Sequence, residues 1–149
     1  MEPLKVAYIG AGSFRFSTPL FRDLATLAIK QHIPLEIGLN DIDAGSLQIM
    51  EKYLRQIIKK NKNKNTPPTK IVASTNRRDI LENVDFVYKS ISVGIQQSEW
   101  YDIYLPLKLG IPQNTGDTVG PGGLFRALRT ISPTIDIVRD MQELCPNAI

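Results

Sequence analysis

An apolar strand runs directly into a tight glycine turn at the start of this chain. The run Val6–Ile9 is rich in β-formers, and Gly10-Ala11-Gly12 follows it at once, ahead of a helical stretch. Gly10 permits the sharp turn, and Gly12, which lacks a Cβ, lets the backbone approach a pyrophosphate at the following helix N-terminus. Arg15 stands where a Gly-x-Gly-x-x-Gly pattern would place its third glycine, so an ordinary strand-to-helix turn remains an alternative.

A second apolar run ends in an acid. Residues 35–40 lead to Asp41, and an acid at the end of a second strand can accept both hydroxyl hydrogens of an adenosine ribose while repelling the 2′-phosphate of NADP. The pattern therefore favours NAD. Asp41 follows Gly12 by 29 positions (41 − 12) rather than the usual spacing of about 20, which fits a longer first helix. The alternative is that Asp41 or Asp43 caps the next helix.

The composition predicts a single soluble domain. The chain has 149 residues, of which 42% are hydrophobic, and we expect neither a bilayer-spanning run nor a secretory signal. Cys145 is the only cysteine, so no internal disulfide can form and a reducing cytoplasm is the expected compartment. The net charge is +3, and the basic stretch 59–64 lacks interleaved aromatics. It predicts a solvated loop rather than a nucleic-acid surface.

Alternating strand and helix signals continue along the first hundred residues. This alternation predicts a Rossmann-type doubly wound parallel sheet of the α/β class, in strand order 3-2-1-4. The expected elements after the first strand are a helix capped by Thr18 with Pro19 at its first position, a helix through Leu47 and Ile58, a strand at Lys70–Ser74, a brief helix from Thr75 or Asn76 to Leu81, and a strand at Val84–Tyr88.

The last third predicts helices around a glycine-rich loop. We expect a helix over Glu99–Gly110, an irregular segment over Ile111–Gly123, and a final helix from Leu124 that Ser132-Pro133 splits or kinks. Residues 147–149 would enter a fifth strand. We therefore expect an N-terminal portion, truncated before or within that strand.

Four motifs together resemble one enzyme family. They are Val6-Ala-Tyr-Ile-Gly-Ala-Gly-Ser-Phe14, Asn40-Asp-Ile-Asp43, Thr75-Asn-Arg-Arg-Asp79 and Gly116-Asp-Thr-Val-Gly-Pro-Gly-Gly-Leu-Phe-Arg-Ala-Leu-Arg-Thr130. The chain resembles glycoside hydrolase family 4 over nearly its whole length. The last motif, with Cys145-Pro-Asn-Ala148 behind it, is more similar to the α-galactosidase and α-galacturonidase branch than to the 6-phospho-glycosidases.

The resemblance implies an NAD- and manganese-dependent reaction, which differs from two-carboxylate glycoside hydrolysis. It begins with oxidation at sugar C3 by NAD, which acidifies the C2 proton. A base removes that proton while a divalent metal, usually Mn²⁺, stabilises the enediolate; the aglycone then leaves by elimination, water adds, and the hydride returns. Residues 1–149 would form the NAD-binding Rossmann domain, inactive by itself, with the catalytic and substrate portion absent.

The resemblance also assigns site residues. Gly10, Gly12, Ser13 and Phe14 match the pyrophosphate turn, Asp41 matches the ribose acid, Val93 and Gly94 match the loop after strand four, and Asp117 matches the acid that assists departure of the aglycone. A turn-stabilising role is the alternative for Asp117. The metal ligands and the catalytic base are expected beyond residue 149, so no metal ligand is assigned here.

Other conspicuous side chains have ordinary alternatives. Cys145 is expected to pack, His32 to lie at the surface, and Trp100 and Tyr101 to pack in a core or interface rather than line a sugar site. Arg126 and Arg129 lie three apart on one helical face, where they would reach substrate, solvent or a subunit contact.

Two further functions compete with the glycosidase. One is an NAD-dependent 2-hydroxy acid dehydrogenase of the lactate/malate type, and the other is a non-catalytic NAD-binding module. The expected partners are a small-molecule glycoside and further copies of the chain, as a homodimer or homotetramer. We expect no nucleic acid or membrane partner.

Overall fold

The computed structural model describes residues 2–62, 66–115 and 119–149. It divides into two compact units. The sheet unit comprises residues 1–91 with 140–149, and the helical unit comprises residues 92–139. Each unit is described by itself.

Among its described residues, the sheet unit contains four parallel strands. They are β1 (Leu4–Ile9), β2 (Leu35–Asn40), β3 (Thr69–Ser74) and β4 (Phe86–Lys89), in the order β3-β2-β1-β4. In this register Val6 lies opposite Ile37 of β2 and Phe86 of β4. The predicted strand order and the Rossmann-type α/β fold are confirmed.

Ile149 extends the pairing beyond β4. Its N–H donates to the carbonyl of Asp85 at 3.0 Å, and its carbonyl accepts from the N–H of Val87 at 2.9 Å. This pair of bonds is the hydrogen-bonding pattern of a parallel neighbour, as expected for a residue entering a fifth strand.

In the described part of the chain, five helices connect or follow the strands. They are α1 (Phe14–Gln31), α2 (Ala44–Asn61), α3 (Arg78–Leu81), α4 (Ile95–Lys108) and α5 (Gly120–Leu144). Helix α5 begins in the helical unit and ends in the sheet unit. Within the described residues, no helix combines the length and apolar character needed to cross a membrane.

The main core of the sheet unit lies between the sheet and helices α1 and α2. Ile37 and Leu39 of β2 point into this core. Gly38 between them faces the other side of the sheet, where Ile80 of α3 occupies the space that a Cβ would need. The buried core residues are Tyr8, Ala11, Phe21, Ala28, Leu35, Ile37, Leu39, Leu47, Met50 and Leu54. Burial of these side chains supplies the main driving force for forming the sheet unit.

Pro19 and Pro133 lie inside helices. The sequence predicted that a helix begins at Pro19 and that the final helix splits or kinks at Pro133. Helix α1 begins at Phe14, so Thr18 is not its cap and Pro19 is an interior residue; the Thr18 hydroxyl donates to the Phe14 carbonyl at 2.8 Å. Helix α5 continues through Pro133 without a second start at Ser132, and it includes Gly120–Gly123, which the sequence assigned to a loop. Helix α4 likewise begins at Ile95, ahead of the predicted start at Glu99.

Gly10 lets the carboxyl ends of β1 and β4 approach closely. Its φ is +89°, in the left-handed region, and a Cβ on it would overlap the carbonyl of Ser90. The Ser90 N–H donates to the Ile9 carbonyl at 2.8 Å, which holds the two strand ends together. The chain therefore requires glycine at this position for both its backbone conformation and its packing.

We expect Gly10→Ala to lower the free energy of unfolding by about 2 kcal/mol or more, since alanine adds left-handed strain and a clash with backbone. Gly45→Ala is the matched control, because Gly45 is exposed in the first turn of α2 and its added Cβ would meet only Asp43 Oδ1 at 3.4 Å. The control should be neutral or stabilising by up to about 1 kcal/mol. Urea unfolding measures both; equal stability of the two variants would contradict the packing described for Gly10.

An ion-pair cluster joins α3 to the end of α5. Arg77 Nε lies 2.6 Å from one Asp140 oxygen and Arg78 Nη1 lies 2.5 Å from the other, while Arg78 also contacts Glu143 at 2.7 Å. Burial alone would raise the pKa of Asp140, but the hydrogen bonds from Arg78 and Arg77 outweigh it and lower the pKa. Hydrogen bonding to Arg78 also lowers the pKa of Glu143. The cluster explains why the Arg77-Arg78 pair stands at the start of α3.

These lowered pKa values predict acid sensitivity. The stabilisation that the ionised Asp140 and Glu143 carboxylates contribute is fully present above their ordinary pKa values of 3.8 and 4.5. It is lost as the pH falls through their lower pKa values in the folded protein. Asp140→Asn should therefore lower the Tm at pH 7, and the difference from wild type should shrink as the pH approaches 3. Asp136→Asn, which alters an exposed pair with Arg139, is the control and should change little. A Tm difference for Asp140→Asn that is constant from pH 7 to 3 would contradict this account.

Candidate functional site

Asn40 organises the glycine turn from the end of β2. Its carbonyl accepts hydrogen bonds from the N–H groups of Gly10 at 2.8 Å and Ala11 at 2.9 Å. Its side-chain amide donates to the Ser74 carbonyl of β3 at 2.9 Å, and the residue is 4% exposed. Three strand ends are thus linked through one buried side chain and its backbone.

Asp41 continues this arrangement with its carboxylate. Oδ2 accepts from the Gly12 N–H at 2.8 Å, and Oδ1 accepts from the Asp43 N–H at 3.0 Å. A Cβ on Gly12 would lie 2.7 Å from the same Oδ2 and 2.9 Å from Ser46 Cβ, so the close approach depends on glycine. The structure therefore brings together the two residues that the sequence singled out on separate strands.

Asp43, rather than Asp41, caps helix α2. Its Oδ1 accepts from the Ser46 N–H at 2.5 Å, and hydrogen bonding to Ser46 lowers the pKa of the Asp43 carboxyl. The capping alternative thus describes Asp43. Asp41 is left facing the glycine turn.

Ser17 supports the turn from within α1, although the sequence pattern did not single it out. The side chain is buried, its hydroxyl donates to the Ala11 carbonyl at 2.8 Å, and its Oγ lies 3.0 Å from the hydroxyl of Tyr8. Burial raises the pKa of Tyr8, whose ring makes edge contacts with Phe21 and Tyr88. The sequence signal for this supporting role is a small polar residue in the first turn of the helix that follows the glycine turn.

The N-terminus of α1 is open to a ligand. Ser13 occupies the N-cap position, but its side chain makes no capping hydrogen bond. Phe14 is 67% exposed, and its ring lies 6.0 Å from that of Tyr53 in α2. First-turn amides and the helix dipole at such an end favour an anion. Gly10, Gly12, Ser13, Phe14 and Asp41 all lie in the sheet unit, around the carboxyl ends of β1 and β2.

Val93 and Gly94 lie in the helical unit, at the start of α4. Gly94 is the N-cap residue with a φ of +83°, and a Cβ on it would overlap Ser98 Oγ. The Val93 carbonyl accepts a hydrogen bond from Arg129 Nε at 2.9 Å. Arg129, for which the sequence predicted substrate, solvent or a subunit contact, thus contacts residues of its own chain.

Arg129 also pairs with Asp102 of α4. The two guanidinium Nη atoms lie 2.8 and 2.5 Å from the two carboxylate oxygens, and the Asp102 side chain is only 3% exposed. Hydrogen bonds to Asp102 raise the pKa of Arg129, so its guanidinium stays protonated. A lone carboxylate in the apolar sequence Trp100–Leu105 was the signal for a buried cationic partner.

The predicted catalytic residue Asp117 lies outside the described residues. On one side of it, Gln113 donates to the Asp102 carbonyl at 2.7 Å and accepts from the Gly122 N–H at 3.3 Å. The Gln113 side chain therefore links Asp102 of α4 to the first turn of α5.

The structure also shows the surroundings of Cys145, His32 and Trp100. Cys145 is 3% exposed, and burial raises the pKa of its thiol. His32 is exposed in the left-handed position that ends α1. Trp100 is 52% exposed and stacks on Tyr104 with ring centroids 4.1 Å apart, so it does not lie in a core of the described residues.

A manganese site does not fit the described part of the chain. No group of three or more His, Cys, Asp or Glu side chains is placed to hold a metal ion within residues 2–62, 66–115 and 119–149.

Curated relatives match nearly the whole chain. It is 36% identical over 146 residues to an α-galactosidase of Bacillus subtilis, covering 97% of this chain and 32% of the relative. It is 37% identical over 148 residues to an α-galacturonidase of Thermoanaerobacter italicus, covering 99% of this chain and 30% of the relative. Other matches, at 35–37% identity, include an α-glucosidase and 6-phospho-β-glucosidases. The chain thus spans about a third of the length of these relatives.

Solved structures and the family model agree with these matches. A 6-phospho-α-glucosidase from gut microorganisms, described in complex with NAD and Mn²⁺, superposes with a TM-score of 0.81 at 22% identity, covering 99% of this chain and 32% of that one. At this identity the likeness shows the fold. The model of the family 4 glycosyl hydrolases matches residues 5–149. The chain belongs to glycosyl hydrolase family 4.

Proposed function

We propose that this chain is the NAD-binding region of a family 4 glycosidase, with residues 1–149 acting as its dinucleotide-binding domain. The observation that carries the proposal is the Asp41 carboxylate held against the Gly12 amide at 2.8 Å. It places an acid at the end of β2 beside a glycine turn at the end of β1, where a dinucleotide binds in sheets of this topology.

The acceptor capacity of Asp41 fits an adenosine ribose. An ionised carboxylate has about four lone-pair positions, and the Gly12 and Asp43 amides use one on each oxygen. One position on each oxygen remains for the 2′- and 3′-hydroxyl groups. The same negative charge would repel the phosphate that NADP carries in place of the 2′-hydroxyl, which supports NAD as the cofactor.

The glycine turn fits the pyrophosphate. The uncapped first turn of α1, from Ser13 and Phe14 onward, offers amide donors to an anion. Arg15 is exposed in the same turn. Its positive charge would add attraction to a phosphate bound at this turn.

The proposed reaction divides between this region and the rest of the enzyme. Bound NAD supplies reversible oxidation at sugar C3, which makes the neighbouring C2–H acidic. In this chain, the first turn of α1 and Asp41 bind and orient the cofactor, Val93 and Gly94 are proposed to contact it, and Asp117 is proposed as the acid that protonates the departing oxygen. No step is assigned to a metal, because the described residues do not supply its ligands.

The proposed substrate is an α-galactoside or an α-galacturonide. Curated relatives of both kinds match the chain at 36% and 37% identity, and the Gly116–Thr130 motif supports the same branch. We further propose that the enzyme acts in the cytoplasm as a homodimer or homotetramer, with Mn²⁺ as its metal.

Asp41→Ala should weaken NAD binding by about 10- to 100-fold, because it removes charge-assisted hydrogen bonds to the ribose. The preference for NAD over NADP should shrink at the same time, since the repelling charge is gone. Isothermal titration of both nucleotides measures the two effects. Asp43→Asn is the control: it keeps an acceptor at the α2 cap and should bind NAD within about twofold of wild type.

Unchanged NAD affinity in a folded Asp41→Ala protein would contradict the ribose assignment. Failure of the wild-type protein to bind either NAD or NADH would overturn the nucleotide site as a whole.

The protein as its gene encodes it should cleave p-nitrophenyl α-galactoside or an α-galacturonide only when NAD and Mn²⁺ are both present. Deuterium at sugar C2 should slow cleavage, because that C–H bond breaks in the proposed route. Activity that survives removal of both cofactors would reject the mechanism. NAD binding without cleavage of any glycoside would support the non-catalytic alternative instead.

A further inference from the structure

The peptide unit between Ala11 and Gly12 is held at both of its polar groups. Its carbonyl accepts a hydrogen bond from the Ser17 hydroxyl at 2.8 Å, and its N–H donates to Asp41 Oδ2 at 2.8 Å. A peptide unit is planar, and in its trans form the C=O and N–H point in opposite directions, so a rotation of the plane displaces both groups together. The Ser17 hydroxyl therefore helps to fix the direction of the N–H group that meets the Asp41 carboxylate.

Tyr8 completes the hydrogen bonding of the Ser17 hydroxyl. A hydroxyl has one hydrogen and a carbonyl oxygen can only accept, so the Ser17 hydrogen points at the Ala11 carbonyl. The Tyr8 hydroxyl, whose oxygen lies 3.0 Å from Ser17 Oγ, is then the donor in the contact between the two side chains. Burial raises the pKa of Tyr8 in spite of its hydrogen bonds to Ser17 and Ser90, so the phenol keeps the proton that it donates.

These groups are enclosed within the sheet unit. Tyr8 is 1% exposed and Ser17 is 0% exposed, and the Tyr8 ring packs edge-on against Phe21 and Tyr88. Removing the Ser17 hydroxyl would leave the carbonyl of buried Ala11 without this donor, which is a costly state for a polar group shielded from water. A turn of the peptide plane toward another donor would relieve that cost, and the two hydroxyls oppose it.

We propose that Ser17 and Tyr8 are positioning residues for ribose recognition, which hold the Asp41 carboxylate in its binding direction through the Ala11–Gly12 peptide. This inference rests on the proposed function, in which Asp41 binds the 2′- and 3′-hydroxyl groups of the adenosine ribose. The two hydroxyls are buried, so they act through the backbone rather than by contact with the nucleotide. Every residue in this set of contacts belongs to the sheet unit.

The test compares two ligands that differ by one ribose hydroxyl, ADP and 2′-deoxy-ADP. The wild-type protein should bind ADP about tenfold more tightly, because the 2′-hydroxyl donates to a charged carboxylate. In Ser17→Ala this ratio of affinities should fall to about threefold or less, since Asp41 loses part of what fixes its direction. Isothermal titration of each ligand measures the ratio.

Tyr8→Phe is the second variant, and it carries the same test if Ser17→Ala does not fold. It keeps the aromatic ring and removes only the hydroxyl that donates to Ser17, so the ratio should fall in the same direction. Thr26→Ala is the matched control, because Thr26 Oγ1 also donates to a carbonyl within α1, that of Arg22 at 2.7 Å, but it is exposed and lies further along the helix. The control should keep the wild-type ratio.

An unchanged ratio in the folded variants would overturn the inference. This holds even if both ligands bind more weakly, since a parallel loss indicates a general structural role. A wild-type protein that binds the two ligands equally, or binds neither, would instead overturn the ribose assignment in the proposed function, and the inference with it.

Discussion

The hydrogen bond from the Gly12 amide to the Asp41 carboxylate joins the two segments on which the candidate site depends. It spans 29 residues, and it forms only because Gly12 has no Cβ that would meet Oδ2. The Asn40 carbonyl adds two further bonds to the same turn. The ends of β1 and β2 therefore share one hydrogen-bond network, and a change at either end alters the turn and the acid together.

Local signals in the sequence were sufficient to predict the sheet and to single out Gly12 and Asp41. Apolar runs ending in Gly10 and in Asp41 predicted β1 and β2, and the alternation of strands with helices predicted the order β3-β2-β1-β4. Such patterns work because a buried parallel strand must be apolar along its length and its ligands lie at its carboxyl end. The residues proposed to bind NAD in the sheet unit were singled out for the same reason.

The errors occurred where tertiary context overrides local preference. Pro19 and Pro133 are tolerated inside α1 and α5, although each removes a backbone donor that a helix interior normally uses. The Arg129–Asp102 pair joins residues 27 positions apart on different helices, so no periodicity within one helix reveals it. The buried role of Ser17 likewise depends on Ala11 and Tyr8, which the fold alone brings within reach.

The two arginine networks differ in burial, and this difference separates their effects. Arg78 is 40% exposed and Glu143 is 65% exposed, so water and salt screen much of that interaction and pH modulates the remainder. Asp102 is nearly inaccessible, and separating it from Arg129 would leave an uncompensated charge in a low-dielectric environment. The exposed network can therefore loosen at low cost, whereas the buried one holds a single geometry. The Val93 carbonyl is tied to this buried pair by the hydrogen bond that it accepts from Arg129.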